Sequence, residues 1–145
     1  MIISFDLDDT LIAKNKFRLE KINLFQQFFG IESLREGTID LFKEIKKRNY
    51  KIYIYTTSHR SETRIKWTFY SYGIPVDFVI NQQKHQKEIK KHNINCSKFP
   101  PMYNIDIHID DSVGVEMEGE KYGFKTIIIS EKNQNWVQVV LNSLK

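Results

Sequence analysis

The chain has few of the residues that staple, break or loosen a fold. Its 1 cysteine, Cys96, cannot form an internal disulfide, which fits a reducing compartment. With 3 prolines and 6 glycines, no stretch reads as a low-complexity linker, and no repeat or domain boundary is visible. No apolar run approaches the ~20 residues of a membrane helix. The N-terminal Met1-Ile2-Ile3-Ser4-Phe5-Asp6 lacks the basic stretch and long apolar core of a signal peptide. A cytoplasmic protein is expected. Charge of one sign is also scarce. The net charge is +4 and the pI ≈ 9.1, too mild to single out nucleic acid, since any phosphorylated substrate is anionic. Lys43, Lys46, Lys47 and Arg48 end one expected helix, and Lys84, Lys87, Lys90 and Lys91 lie on another segment. Both groups read as solvated faces and helix ends.

What the chain does have is the composition of one globular domain spanning 1–145: 41% hydrophobic and 28% charged residues, with enough length to bury a core. Short β-branched apolar runs alternate with helical patterns, the signature of an α/β fold with a parallel sheet covered on both faces. Strands are expected over 2–5, 51–55, 76–80, 105–109 and 126–129. Helices are expected over 17–29, 38–48, 61–72 and 135–144, with Ser61 as an N-cap and Gly30 and Gly73 as stops. The stretch 84–92 is polar, helical or irregular. Pro100 and Pro101 force a loop.

In an open parallel sheet, ligands bind beyond the carboxyl ends of the strands. The first strand runs into Asp6-Leu7-Asp8-Asp9-Thr10, the second into Thr56-Thr57-Ser58, and the fourth into Asp110-Asp111-Ser112. Acids converging at one edge repel unless a cation sits among them, and carboxylate oxygens suit a hard ion such as Mg²⁺.

These segments resemble the motifs of the haloacid dehalogenase-like (HAD) superfamily of phosphatases. Asp6–Thr10 is similar to its DxDxT first motif, Ile52–Thr56 to its second motif, and Ile107–Asp111 to the DD form of its fourth. The resemblance spans the chain and implies a three-layer α/β/α Rossmann-like sandwich. It also implies a Mg²⁺-dependent hydrolase that cleaves a phosphate monoester through an aspartyl phosphate. Asp6 would be the nucleophile, and Asp8 the general acid and then base. Thr56 would bind the phosphoryl group, with Thr57 beside it. The metal would be held by Asp6, the Asp8 carbonyl and Asp110, with Asp111 ligating through water or orienting the others. Transfer to an acceptor other than water would use the same residues, and a catalytically silent binding protein on this fold is a further alternative. A receiver-type signalling domain is disfavoured, because the middle strands end in Thr56 and Asn81 rather than in an acceptor Asp.

The family's third motif is a lysine that neutralises transferring oxygens. Lys98, in the loop stiffened by Pro100 and Pro101, is the favoured residue, with Lys84 next and Lys87 in the same solvent-facing segment. Asp9 and Thr10 are expected to shape the turn, and Thr57 and Ser58 to serve also as helix caps. His59, Arg60 and Arg64 read as an exposed helical face. Asp106 and His108 alternate with isoleucines and read as a satisfied polar pair or exposed flank. His85, His92 and Cys96 make a poor zinc set without a second cysteine. Tyr53, Tyr55, Trp67, Phe69 and Tyr70 read as core.

The usual positions for a cap domain correspond to 12–35 and 81–97, both shorter than the ~40 residues that fold alone. A capless member is therefore expected, with 12–35 as a short flap. An open site suits a phosphorylated macromolecule as well as a small molecule, and a homo-oligomer would be another way to close it. No membrane partner is expected.

Overall fold

The computed structural model describes residues 1–144. Five strands, β1 (Ile2–Phe5), β2 (Lys51–Tyr55), β3 (Phe78–Ile80), β4 (Ile107–Asp110) and β5 (Thr126–Ile128), form one sheet in the order β3-β2-β1-β4-β5. Every pairing is parallel. The helices are α1 (Leu24–Phe28), α2 (Thr38–Lys47), α3 (Glu62–Ser71), α4 (Gln82–His92), α5 (Val113–Tyr122) and α6 (Trp136–Ser143). This is a Rossmann-like three-layer α/β/α arrangement, as the alternating pattern implies.

Side chains alternate across each strand, and this divides the interior in two. Ile3, Phe5, Ile52, Ile54, Val79, Ile107 and Ile109 share one large cluster with Leu41, Phe42 and Ile45 of α2, Ile65 and Phe69 of α3, and Val140 of α6. The Phe5 and Phe42 rings lie 4.9 Å apart, and Phe42 stacks on Phe69 at 5.5 Å. A smaller cluster holds Tyr55, Ile80 and Ile105, with Tyr103 against it. Ser4 and His108 are fully buried as well. The second face is thus the polar one, and it carries much of the site.

Chain order runs outward from β1 to β3, then returns to place β4 on the other side of β1. Strand order reverses between β1 and β4, and a crevice at their carboxyl ends follows from that reversal. Phe5 pairs in register with Ile109, so the next residues, Asp6 and Asp110, leave the sheet at the same level.

Two elements differ from the sequence expectation. The apolar stretch 17–29 is helical only over Leu24–Phe28, because Asn23 forms a capping box with Gln26 that starts the helix there. Its apolar residues do not enter the core; Leu24 and Phe28 are more than four-fifths exposed. Helix α5 was not expected from sequence, since Gly114 and Gly119 dilute its pattern. Gly119 is needed for close packing: a Cβ there would lie 2.8 Å from the Phe124 carbonyl oxygen. Pro100 and Pro101 open a 3-10 turn ending at Tyr103, a place where their missing N–H groups cost nothing.

Candidate active site

The motif following β1 is a tight loop. Leu11 and Ile12 N–H groups both donate to the Leu7 carbonyl, and Asp9 adopts a left-handed φ of 64°, which Asp tolerates better than most residues. The Asp9 carboxylate lies at the surface, 3.0 Å from Lys16 Nζ. Arg35 braces the loop from behind. It is buried, stacked over the Phe17 and Trp136 rings, and it donates to the carbonyls of Thr10, Ser130 and Asn133.

The loop delivers Asp6 to the crevice. Lys98 Nζ donates to Asp6 Oδ1 at 2.6 Å and to Asp110 Oδ2 at 3.0 Å. Asp6, Asp110 and Lys98 are all buried. Thr10 is buried too, and its hydroxyl donates to Asp111 Oδ1 at 3.0 Å, with Asp6 Oδ2 at 3.5 Å. It thus spans two acids as well as shaping the turn.

The charges balance unevenly. Burial pushes Asp6 up to about 6, with Lys98 opposing the rise and Asp110 reinforcing it. Burial also acts to raise Asp110, but hydrogen bonding from His108 and the Lys98 charge overcome it and hold this carboxyl well below its ordinary value. For Lys98, burial favours the neutral amine, yet the two acids outweigh it and raise its affinity for the proton. Asp111 is raised, first by burial, and Asp110 adds to the effect.

His108 has a definite part. It is wholly buried, and burial lowers it to about 4, so the ring is neutral at physiological pH. Its Nε2 lies 2.9 Å from Asp110 Oδ2, and its Nδ1 2.7 Å from Ser4 Oγ. A neutral ring satisfies both contacts when Nε2–H donates to Asp110 and Nδ1 accepts from the Ser4 hydroxyl. Ser4, His108 and Asp110 therefore form a chain that fixes the carboxylate. Asp106 does not pair with His108; it accepts from the Ile2 N–H at 2.6 Å.

The Lys98 loop is held from three directions. Glu118 on α5 accepts from the Ser97 N–H at 2.8 Å, the Ser97 hydroxyl at 2.6 Å and the Lys98 N–H at 3.2 Å. Tyr55 Oη accepts from the Phe99 N–H at 2.9 Å and lies 2.6 Å from His85 Nδ1. His85 Nε2 reaches the Cys96 carbonyl at 3.1 Å. Both ring nitrogens of His85 are engaged, which leaves neither for a metal. Lys84 faces elsewhere, pairing with Glu62 at 2.8 Å.

Thr56 is buried at the end of β2, and its hydroxyl oxygen accepts from the Ser58 N–H at 3.0 Å, leaving its own hydrogen to donate. Thr57 is exposed. Neither Thr57 nor Ser58 caps a helix: Ser61 caps α3 by accepting from the Arg64 N–H.

Arg60 corrects the expectation of an exposed helical face. It precedes α3 and spans Asp8 Oδ2 at 2.9 Å and Glu32 through two nitrogens at 2.8 and 2.7 Å. Its Nη1 also donates to Ser58 Oγ at 2.8 Å. The hydrogen bonds that it donates to Glu32 and Asp8 exceed the effect of burial and raise its already high proton affinity. Glu32 belongs to the 12–35 flap, so the bridge ties the flap to the loop after β2. Beside it lies a cavity of about 520 Å³ lined by residues including Asp8, Ile12, Ser33 and Arg60.

Carboxylate oxygens of Asp6, Asp110 and Asp111 lie within 4.8 Å of one another. Three acids face one ammonium, a surplus of negative charge on hard oxygen donors, and this donor set fits Mg²⁺. The sequence-derived residues Asp6, Asp110, Asp111 and Lys98 are thus brought together. Asp8 stands at the rim, with its side chain half exposed. Ser4, Arg35, Tyr55, His85, His108 and Glu118 escaped the sequence reading as supports of the site. The one available signal was that polar residues interrupted apolar strands.

Comparison of the sequence with protein-family models and with curated proteins gives no match in either case.

Proposed function

We propose that the chain is a Mg²⁺-dependent phosphatase of the HAD-like superfamily, acting on a phosphate monoester. The observation that carries this reading is the Lys98 ammonium buried between Asp6 and Asp110 where strand order reverses, with Asp111 within ligand range of both acids. A buried cation beside a carboxylate nucleophile is what an incoming phosphoryl group requires, because two anions otherwise repel.

In this reading Asp6 attacks phosphorus in line, the bond to the leaving oxygen breaks, and an aspartyl phosphate forms. Lys98 balances charge on the transferring oxygens, and the Thr56 hydroxyl donates to one of them. Asp8 delivers a proton to the departing oxygen, then takes one from the water that hydrolyses the intermediate. Asp6, the Asp8 carbonyl, Asp110 and Asp111 would hold Mg²⁺, which when bound supplies electrostatic shielding of the phosphoryl group. The leaving group would occupy the cavity beside Asp8 and Arg60.

The test is hydrolysis of p-nitrophenyl phosphate and a panel of phosphorylated metabolites, with Mg²⁺ and with EDTA, by wild type and Asp6→Asn. Turnover requiring both the metal and Asp6 is expected. Equal turnover in EDTA or in Asp6→Asn would refute the reading.

A further inference from the structure

The most prominent feature outside the acidic site is an aromatic face built from α1 and α3. Leu24 is 82% exposed, Phe25 51%, Phe28 84%, Phe29 53%, Trp67 40% and Tyr70 64%. The rings form an unbroken chain. Phe28 meets Phe29 at 5.2 Å, Phe29 meets Phe25 at 4.6 Å, Phe25 meets Trp67 at 6.3 Å, and Trp67 stacks on Tyr70 at 5.7 Å. Trp67 and Tyr70 of α3 were expected in the core, and the structure turns them outward, while Phe69 is buried as expected.

The two helices of the face are tied together by hydrogen bonds. Gln26 is buried beneath the face and donates to the Ser71 carbonyl at 3.3 Å and hydroxyl at 3.2 Å, joining α1 to α3.

We propose that this face is the contact surface of a homodimer, paired with a second copy of the chain. Area and shape argue for that occupant. At roughly 200 Å² for each large side chain, these exposures leave about 750 Å² of largely apolar surface in water. That exceeds the ~300–600 Å² of the largest patch on a typical monomer. It also approaches the ~800 Å² each partner contributes to a standard interface. The face carries both halves of a fit: Phe28 and Leu24 project, while Trp67, Tyr70, Pro75 and Val76 line a groove of about 500 Å³. Projection and recess on one surface are what a two-fold, self-complementary interface needs. A bilayer is the poorer match. Helix α1 has only 5 residues, short for an interfacial helix, and a recess leaves apolar surface that a flat membrane does not fill.

The inference stands apart from the phosphatase reading, and its test does not use activity. Sedimentation equilibrium of the full chain over a concentration series is expected to give twice the 17.3 kDa chain mass. Phe28→Asp and, independently, Tyr70→Lys should shift the mass to a single chain with unchanged circular dichroism, since both side chains are mostly in water within one chain, while the melting temperature falls only by the stabilisation that dimerisation adds. Met117→Asp, exposed on α5, should leave the dimer intact. A wild type that remains a single chain at its highest soluble concentration overturns the proposal. So does a dimer that survives both substitutions. A monomer that floats with anionic lipid vesicles, but not when Phe28 is Asp, would assign the face to a bilayer and equally overturn it.

Discussion

Lys98 Nζ lies 2.6 Å from Asp6 Oδ1, with side-chain exposures of 3% and 10%. The pair is 92 residues apart in sequence and meets because the sheet reverses its order at β1. Such a pair gains little net stability over apolar residues of the same shape, yet removing one partner is costly. Its presence therefore argues for a chemical use.

Lysine identity is the sharpest consequence. Lys98→Ala should lower turnover by about 10²–10³, the usual loss of one preorganised electrostatic donor. It should also destabilise the fold by about 3–5 kcal/mol, because two carboxylates lose their buried cation. Lys98→Arg should be poor, since a planar fork does not replace a compact ammonium. Lys84→Ala removes a pair with Glu62 at the surface and should leave turnover within about twofold. Steady-state kinetics and urea melts of the three variants separate these outcomes.

The raised Asp6 carboxyl gives a pH signature in metal-free protein. Its folded value, about 6, exceeds the ordinary 3.8, so between those limits the folded state holds a proton that the unfolded chain has lost. Stability from this group is present below pH 4 and declines as pH rises to about 6. His108, lowered to about 4, acts in the opposite sense, because the unfolded imidazole takes up protons below its ordinary 6.5 while the folded one does not. His85 is lowered as well, by burial. The wild-type curve is therefore a partial cancellation. Denaturation midpoints of Asp6→Asn should rise from pH 4 to 6 more steeply than those of wild type. Parallel curves would mean that Asp6 titrates normally.

The reading of the sequence succeeded where chemistry was local. Apolar strands ended abruptly in Asp6 and Asp110, and the parallel pattern alone brought those ends together. Lys98 was favoured over Lys84 as the lysine that the family resemblance calls for because proline stiffens its loop, and it lies between Asp6 and Asp110. Long-range partnerships were hidden: nothing near Arg60 announces Glu32 or Asp8, and nothing near Glu118 announces the Ser97 backbone. His108 was read as a partner of Asp106 or an exposed flank, whereas it is fully buried and pairs with Asp110 and with the Ser4 hydroxyl of the neighbouring strand. The segment 17–29 was read as one helix from its apolar spacing, but the Asn23–Gln26 capping box starts the helix only at Leu24.

Arg60 and Asp8 should behave as one unit. If Asp8 is the acid and base, Asp8→Ala should slow esters with poor leaving groups more than activated aryl phosphates, which need little protonation. Arg60 touches Asp8 and orients it, so Arg60→Ala should shift selectivity in the same direction by a smaller factor. The double variant should be no slower than Asp8→Ala alone, since residues that act through one another are not additive. Additive losses would mean that Arg60 binds substrate independently.

The final prediction concerns His108, which is fully buried. Its Nε2–H fixes the Asp110 oxygen that also receives Lys98, and the opposite Asp110 oxygen accepts from the Ser112 N–H at 2.9 Å. Replacing His108 by Leu keeps much of the volume but removes one of these donors and strands the Ser4 hydroxyl. A carboxylate free to rotate is a weaker ligand, and loss of an orienting partner typically costs about 10–100-fold in metal affinity. In His108→Leu the Mg²⁺ concentration for half-maximal turnover should rise by that factor, while turnover at saturating Mg²⁺ stays within about threefold of wild type. Ser4→Ala should move the same quantity less, because it acts on Asp110 through the imidazole. An Mg²⁺ titration of each variant reads both parameters. A turnover loss that saturating Mg²⁺ fails to restore would show that His108 supports Lys98 or Asp6 rather than the metal-facing carboxylate.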